Sequence, residues 1–332
     1  MFDGLRGLSL RGLFRRFSNR LYVDVGDSNA TIFIAGMGRS GTTWVEAVVN
    51  HDFGHRVMFE PFLAHDVPAA AAFPHNPYVR PSDRDPDRLR AAETILSGRT
   101  PRGTVDRHHR GWIFRRRIIK DVRCNLMLGY LKAIRPAMPL VFVVRNPWSI
   151  AASWIRLGWG NVPYEETLEL DAILEQQELL ADFPVIQRAM VGLDRSDAFE
   201  RIIFQWCLLH LVPLRQLGDG DAHMLRYEDL VREPLQTADR MAAYLQLRLE
   251  GPGLARALAR STTTDFLRRG PRMDRSALLS DWKAVLSPGQ IDRGREILAS
   301  FGLDRLYDEN GLPLPELALA GGQPPGATGS SS

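Results

Sequence analysis

The sequence predicts an α/β fold of three layers, in which helices cover both faces of a central parallel sheet. Two continuous apolar runs, at 31–36 and 140–144, are typical of buried parallel strands. Helical patterns alternate with such runs along the chain, and there is no internal repeat. The 332 residues, of which 45% are hydrophobic, suffice for one large core.

The elements alternate between strand and helix patterns in chain order. They are a strand at 31–36, a helix at 42–50, an apolar run at 57–59, a short strand that begins at Ile118, a helix at 125–134, a strand at 140–144 and a helix at 202–217. Two longer segments, 64–117 and 157–197, interrupt this order. Because long insertions in enzymes often form substrate walls, we expect these segments to shape an acceptor pocket.

The chain divides into three parts. We expect a basic amphipathic arm at 1–24, a single domain at 25–312 and a disordered tail at 313–332. In the arm, leucine and phenylalanine alternate with arginine, so it either packs on the domain or contacts an anionic membrane surface weakly. Without a membrane-length apolar run or a signal peptide, the sequence predicts a cytoplasmic protein.

The charge balance and the cysteines of the chain bear on which partners and metal sites to expect. Lysine and arginine number 42 against 39 aspartates and glutamates, a mild excess that argues against nucleic acid as a partner. The two cysteines, Cys124 and Cys207, lie in apolar surroundings without a C-x-x-C neighbour. We therefore expect buried, reduced thiols rather than a disulfide or a zinc site.

The first strand runs into a loop that is rich in glycine and hydroxyl residues, Gly36-Met-Gly-Arg-Ser-Gly-Thr-Thr-Trp44. Glycines permit tight turns that expose backbone N–H groups, and the positive end of the following helix dipole favours an anion. The loop therefore predicts a phosphate or sulfate site. A nucleoside triphosphate loop would have lysine where Thr42 stands, and a hydrolase elbow would have glycine there.

Another interpretation of the loop remains open. Gly36, Gly38 and Gly41 also match the G-x-G-x-x-G fingerprint of dinucleotide-binding proteins. Glu60 directly follows the apolar run at 57–59 and is at a suitable distance from the glycines for a ribose-binding acid. This alternative is an NAD(P)-dependent oxidoreductase.

A second segment distinguishes these interpretations. The strand at 140–144 ends in Arg145-Asn-Pro147, and Ser153 follows on a predicted helix. An arginine at the end of a strand and a serine on the next helix can converge on one anionic group. The dinucleotide interpretation gives no reason for this pair.

With these segments, the chain resembles the sulfotransferases that use 3′-phosphoadenosine 5′-phosphosulfate (PAPS). Gly38-Arg-Ser-Gly-Thr-Thr-Trp44 resembles their 5′-phosphosulfate loop, and Arg145-Asn-Pro147 with Ser153 resembles their 3′-phosphate motif. The resemblance continues through Arg117-Ile-Ile-Lys120, Arg226-Tyr-Glu-Asp-Leu230 with Pro234, and Asp281-Trp-Lys283, and covers residues 30–307. It implies a P-loop-NTPase-like sulfotransferase fold, PAPS as the sulfuryl donor, 3′,5′-adenosine bisphosphate (PAP) as the product, and no metal.

The resemblance assigns a set of residues to the nucleotide. They are Gly38, Arg39, Ser40, Gly41, Thr42 and Thr43 for the 5′-phosphosulfate, Trp44 for the adenine, Arg145 and Ser153 for the 3′-phosphate, Tyr227 for a further nucleotide contact, and Arg268, Arg269 and Gly270 for a late 3′-phosphate loop. That late triplet lies further from Trp282 than in cytosolic sulfotransferases, so Arg272 or Arg275 is an alternative.

The resemblance also suggests catalytic residues. Lys120 matches the lysine that neutralises charge at the sulfuryl group, and Arg39 adds the positive charge that Thr42 cannot supply. The usual catalytic histidine is replaced by Val122, whereas Phe59-Glu-Pro61 resembles the branch that sulfates sugar hydroxyls. We therefore expect Glu60 to be the general base, with His65 and Asp121 as alternatives.

The sequence thus predicts a sulfotransferase that acts on a hydroxyl of a carbohydrate, a glycolipid or another small molecule. The missing histidine also permits a non-catalytic relative that binds nucleotide without turnover. The acceptor and the oligomeric state are left open.

Overall fold

The computed structural model describes residues 22–26, 31–102, 105–106, 112–159, 169–259 and 277–314. Its strands are β1 (Val23–Asp24), β2 (Thr31–Gly36), β3 (Arg56–Phe59), β4 (Ile113–Phe114), β5 (Arg117–Asp121), β6 (Leu140–Val144) and β7 (His223–Arg226). Five of them form a parallel sheet in the order β3-β5-β2-β6-β7. β1 and β4 pair separately, also in parallel.

Helices connect and cover the strands. They are α1 (Thr42–Val49), α2 (Pro86–Leu96), α3 (Leu128–Ile134), α4 (Pro147–Arg156), α5 (Glu169–Leu174), α6 (Gln177–Asp182), α7 (Pro184–Met190), α8 (Ala198–Gln216), α9 (Tyr227–Arg232), α10 (Pro234–Leu245), α11 (Gly251–Ala259), α12 (Ala277–Ser280) and α13 (Pro288–Ser300). Short 3₁₀ turns occupy Pro68–Ala72, Asn125–Met127 and Asp281–Ala284. Among these described helices, none is both long enough and apolar enough to cross a bilayer.

The alternation of side chains along the strands produces two cores. Phe33, Ile119 and Phe142 point to one face, where they pack with residues of α2, α4, α8 and α13. Ile34 and Val143 point to the other face and pack with residues of α1, α9, α10 and α11. Helices therefore cover both faces of the parallel sheet, which confirms the predicted three-layer α/β fold.

The predicted boundaries hold best for the buried strands. The strands at 31–36 and 140–144 have the predicted limits, and the helix predicted at 42–50 ends at Val49. The helix predicted at 125–134 begins instead as the 3₁₀ turn Asn125–Met127. The helix predicted at 202–217 begins earlier, at Ala198, because the Asp197 carboxylate accepts a hydrogen bond from the backbone N–H of Glu200 and caps it.

Both interrupting segments contain short helices, α2 in the first and α5, α6 and α7 in the second. At the end of the predicted arm, Tyr22 donates a hydrogen bond to Asp106, and β1 pairs with β4. The rest of the arm and residues 315–332 of the predicted disordered tail lie outside the described residues. Cys124 and Cys207 are buried free thiols, as predicted, and burial raises the pKa of each.

Candidate active site

The candidate site lies along the carboxyl edge of the parallel sheet. Glu60 follows β3, Asp121 ends β5, the glycine-rich loop follows β2, Arg145 follows β6 and Tyr227 follows β7. Because the strands are parallel, their carboxyl ends meet at one edge, where α/β proteins bind ligands. The strand order places the loop between the Glu60 side and the Arg145 side.

The glycine-rich loop turns sharply from β2 into α1. Arg39 and Gly41 have left-handed φ values of 73° and 101°. A Cβ atom on Gly41 would lie 2.5 Å from a ring carbon of Tyr227, so this position requires glycine for space as well as conformation. Gly41 offers no side-chain cap to α1, so the first N–H groups of this helix lie at the positive end of its dipole without a capping side chain.

A buried hydroxyl lies in this loop without a partner. Ser40 is fully buried, and its Oγ makes no hydrogen bond in the structure. Burying a hydroxyl without a partner is costly, so such a group is often completed by a ligand. Ser40 Oγ and the uncapped helix start thus fit an oxyanion.

The structure brings Arg39, predicted for the 5′-phosphosulfate, into contact with Arg145 and Ser153, predicted for the 3′-phosphate. Arg39 Nε donates to Ser153 Oγ over 3.0 Å, and Arg145 donates to the Arg39 carbonyl over 3.1 Å. Burial and the nearby Arg145 lower the pKa of the Arg39 guanidinium. The neighbouring positive charges of Arg39 and Arg145 repel each other, and a bound dianion would relieve this repulsion.

The ring of Tyr227 packs against the guanidinium of Arg145. The Arg145 guanidinium carbon lies 4.2 Å from the centroid of the Tyr227 ring, a cation–π distance. Arg145 is 7% exposed, and its Nε has no hydrogen-bond partner. Burial raises the pKa of Tyr227, although Arg145 opposes the shift. This pair leaves a buried donor on Arg145 available to a ligand.

Trp44 occupies a core position beside the loop. Its indole N–H donates to the carbonyl of Ala257 over 3.0 Å, and its ring meets Tyr227 edge-on with centroids 5.7 Å apart. The side chain is 4% exposed. Stacking of Trp44 on adenine stays a prediction.

Sequence reasoning gave no role to Glu228, which holds the residue after Arg145, Asn146, by hydrogen bonds. Its Oε1 accepts from both the backbone N–H and the Nδ2 of Asn146, over 2.9 and 3.0 Å. Asn146 in turn caps α4 by accepting from the Ser149 backbone N–H. The available signal was the acidic residue directly after Tyr227 in the segment Arg226-Tyr-Glu-Asp-Leu230.

Glu228 provides a test of this arrangement through pH. Burial raises its pKa to about 7, from 4.5. Between these values the folded protein holds a proton that the unfolded chain has lost, so stability falls as pH rises from 4.5 to 7. We expect the free energy of unfolding of wild type, relative to Glu228→Gln, to fall by about 1 kcal/mol per pH unit there. Denaturant titrations at pH 5 and 7 measure the free energy of unfolding of both proteins. If it changes equally in wild type and Glu228→Gln between these pH values, the pKa of Glu228 is not raised.

On the other side of the loop, Glu60 forms a buried ion-pair cluster. Lys120 Nζ donates to Glu60 Oε1 over 2.6 Å, and Arg123 donates to Oε2. Glu60 has a left-handed φ of 51°, and its N–H donates to the Lys120 carbonyl. The predicted catalytic pair, Glu60 and Lys120, is therefore in direct contact, whereas Arg123 was missed.

The charges around Glu60 decide its protonation. Burial alone would raise its pKa, but Lys120 and Arg123 overcome this effect and hold the pKa below 4.5. Glu60 is thus an ionised carboxylate at neutral pH. The ammonium of Lys120 also lies 4.1 Å from the centroid of the Phe59 ring, a cation–π distance.

The two alternative bases have different surroundings. Asp121 is fully buried and accepts from the backbone N–H groups of Phe62 and Arg123. Burial and Glu60 raise its pKa. These contacts give Asp121 a structural role in the turn after β5. His65 is exposed on a turn beyond the described Glu60 cluster.

Arg268, Arg269 and Gly270, together with the alternatives Arg272 and Arg275, lie outside the described residues. Their assignment stays a prediction.

Comparison with known proteins identifies the family. A sulfotransferase family model matches residues 31–251, more than half of the chain. The nodulation protein NoeE of Sinorhizobium fredii (strain NBRC 101917 / NGR234) is 28% identical over 232 residues, which are 67% of this chain and 51% of that protein. The chain thus spans about half the length of this curated relative.

Solved sulfotransferases are also similar. Mouse sulfotransferase SULT7A1, complexed with PAP, is 14% identical with a TM-score of 0.42, covering 85% of this chain and 87% of its own. Sulfotransferase STF9 from Mycobacterium avium is 14% identical with a TM-score of 0.42, covering 88% and 79%. The NAD(P)-dependent alternative gains no support from the family-model match. On the family-model match, the chain belongs to the sulfotransferase family.

Proposed function

We propose that this protein transfers a sulfuryl group from PAPS to a hydroxyl of an acceptor. The observation that carries the proposal is the arrangement along one sheet edge: an anion-binding loop in the middle, paired arginines on one side and a lysine–glutamate pair on the other. Each part matches a need of sulfuryl transfer, namely donor binding, charge neutralisation and proton removal.

The residues around the loop fit the phosphate and sulfate groups of this donor. Ser40 Oγ and Arg145 Nε are buried without partners, and both can bond to anionic oxygens. The N–H groups at the start of α1 are uncapped. Arg39, Thr42 and Thr43 complete the loop beside them. We assign the 5′-phosphosulfate to this loop and the 3′-phosphate to Arg145 and Ser153.

When bound, PAPS supplies an electrophilic sulfur and a phosphate leaving group. In this proposal Glu60 accepts the proton of the acceptor hydroxyl as the new S–O bond forms and the bond to the leaving phosphate breaks. Lys120 lies in β5, between the strand of the loop and the strand of Glu60, and its register partners are Ile34 and Phe59. This position lets Lys120 neutralise negative charge that develops at the leaving oxygen.

A shift of Lys120 would couple these two roles. While Lys120 contacts Glu60, it holds the carboxylate in its weakly basic form. If the ammonium turns toward the leaving group, Glu60 loses one of its two cationic partners and becomes a stronger base. The base is then strengthened when the donor is in place.

For the acceptor, we propose a hydroxyl on a carbohydrate, a glycolipid or another small molecule. This choice is supported by the resemblance of Phe59-Glu-Pro61 to the branch that sulfates sugar hydroxyls, together with the contact of Glu60 with Lys120. We further propose a cytoplasmic location, metal-independent turnover and weak contact of the N-terminal arm with membrane.

Radiolabelled PAPS tests the proposed activity. We expect the purified chain, in EDTA, to release PAP and label at least one member of a panel of sugars, glycolipids, phenols and amines. Lys120→Ala serves as the inactive control, because it removes the cation next to Glu60. PAP binding without label transfer across the panel would instead favour a non-catalytic relative.

A further inference from the structure

Two buried tryptophans hold the two segments that carry the anion-binding arginines. The indole N–H of Trp154 donates to the carbonyl of Gly38, in the glycine-rich loop, over 3.1 Å. The indole N–H of Trp206 donates to the carbonyl of Arg145 over 2.9 Å. Both tryptophan side chains are buried. Each of them thus gives one directed hydrogen bond to the backbone of one phosphate segment.

Trp154 joins the glycine-rich loop to α4. It directly follows Ser153 in this helix, and its hydrogen-bond partner Gly38 directly precedes Arg39. A Cβ atom on Gly38 would lie 3.6 Å from a ring carbon of Trp154, so the ring also packs against this residue. Trp159 meets Trp154 edge-on, with ring centroids 5.6 Å apart. The indole therefore contacts both the loop and the chain that follows α4.

Trp206 lies in α8 and reaches Arg145 from the core. Its ring stacks on His210, one helical turn away, with centroids 4.0 Å apart and planes inclined by 20°. The peptide that follows Arg145 is held at both of its polar groups, because its carbonyl accepts from Trp206 and its N–H donates to Glu228. A peptide unit is planar, so these two hydrogen bonds restrict the backbone from which the Arg145 side chain extends.

The partners of these two indoles are unusual for buried tryptophan. A buried indole N–H needs a hydrogen-bond partner wherever it lies. Trp282 finds one in its own turn, since its N–H donates to the carbonyl of Leu279, three residues earlier. Trp154 and Trp206 instead bond across 116 and 61 positions, and both reach a segment that binds phosphate in the proposed function. The two long-range hydrogen bonds thus converge on the donor site.

We infer that Trp154 and Trp206 are positioning residues for the phosphates of the donor, an inference that rests on the proposed function. Trp154 orients the loop assigned to the 5′-phosphosulfate, and Trp206 orients the arginine assigned to the 3′-phosphate. An indole has a single N–H, and a backbone carbonyl engages it in each case, so neither donor acts on the nucleotide itself. Groups that are oriented before the ligand arrives lose less conformational freedom on binding. Loss of either hydrogen bond should therefore weaken binding of the phosphate on its own side.

Nucleotide titrations of the full chain test the inference. 3′-AMP and 5′-AMP each carry one of the two phosphates of PAP, so they report on the two sides separately. We expect Trp206→Phe to raise the dissociation constants of PAP and 3′-AMP at least roughly fivefold, and to leave that of 5′-AMP within about twofold of wild type. Trp154→Phe should raise those of PAP and 5′-AMP by a similar factor and leave that of 3′-AMP within about twofold.

Trp282→Phe is the matched control. It also removes a buried indole and its hydrogen bond to a carbonyl, but that carbonyl belongs to neither phosphate segment. We expect it to bind all three nucleotides as wild type does. The melting temperatures of the three variants should fall by similar amounts, because each variant loses part of a buried ring.

Kinetics add a readout that a general loss of packing would not produce. The 3′-phosphate takes no part in the bond changes, so Trp206→Phe should raise KM for PAPS at least roughly fivefold and leave kcat within about twofold. The inference is overturned if wild type and both variants bind PAP alike, or if each variant loses affinity for 3′-AMP and 5′-AMP equally. If wild type itself binds no PAP, the proposed function is refuted, and the inference with it. PAP binding by wild type that both variants retain unchanged refutes the inference alone.

Discussion

Replacing Glu60 with glutamine should lower the rate of sulfuryl transfer at least roughly 100-fold, because the amide cannot accept the acceptor proton. Lys120 and Arg123 lose their anionic partner, so the affinity for the anionic PAP should stay the same or increase. Single-turnover rates and PAP titrations of both proteins measure the two effects separately. Near-full turnover would exclude Glu60 as the base and direct attention to His65.

A structural role for Glu60 would give a different result. Two buried cations without their carboxylate should lower stability, so the melting temperature is measured beside the rate. Glu93→Gln is a suitable control, because Glu93 also pairs with an arginine, Arg135, but on the helix α2. We expect this control to keep its turnover. A parallel loss in both variants would indicate a general cost of broken ion pairs.

The pH dependence gives a second readout for Glu60. Its pKa is held below 4.5, so the carboxylate is present above that value and is lost as pH falls through the lowered pKa. The acid limb of kcat/KM, which reports the free enzyme, should therefore lie below pH 4.5. If Lys120 moves to the leaving group, the acid limb of the single-turnover rate should lie at a higher pH.

Replacing Arg145 with alanine should raise the dissociation constant of PAP at least roughly tenfold. A charge-assisted hydrogen bond contributes about 1.5–3 kcal/mol, which corresponds to this factor or more. The guanidinium is almost fully buried against Tyr227, and its Nε has no hydrogen-bond partner, so this donor is available to a phosphate. Calorimetric titration of wild type and Arg145→Ala measures the change.

Arg156 offers a matched control for Arg145. It is an exposed arginine at the end of α4 and pairs with Asp281. Arg156→Ala should leave the dissociation constant within about twofold of wild type, because a surface ion pair contributes little. A change below twofold for Arg145→Ala as well would refute its assignment to the 3′-phosphate.

The parts of the fold that local sequence determines could be predicted. The strands at 31–36 and 140–144 are apolar runs buried on both faces, and the glycines between β2 and α1 mark a turn that other residues disfavour. Their signals lie within a few consecutive residues. The order of the site segments could also be predicted, because it is the order of their motifs along the chain.

Contacts between distant segments could not be predicted in the same way. The pairing of Arg123 with Glu60 joins residues 63 positions apart, and Glu228 reaches Asn146 across 82 positions. No periodicity encodes such pairs, because they arise only when the strands take their order in the sheet. The two interrupting segments also lack long periodic patterns, since their helices are as short as six residues.

The proposed donor site is tested most directly by calorimetry with PAP, in EDTA, beside ATP, AMP and NADH. The buried Arg145 Nε and the Ser40 hydroxyl, together with the uncapped start of α1, lead us to expect micromolar or tighter binding that is selective for the bisphosphate. Selective binding of NADH, or no binding of PAP at all, would contradict a PAPS site at this edge of the sheet.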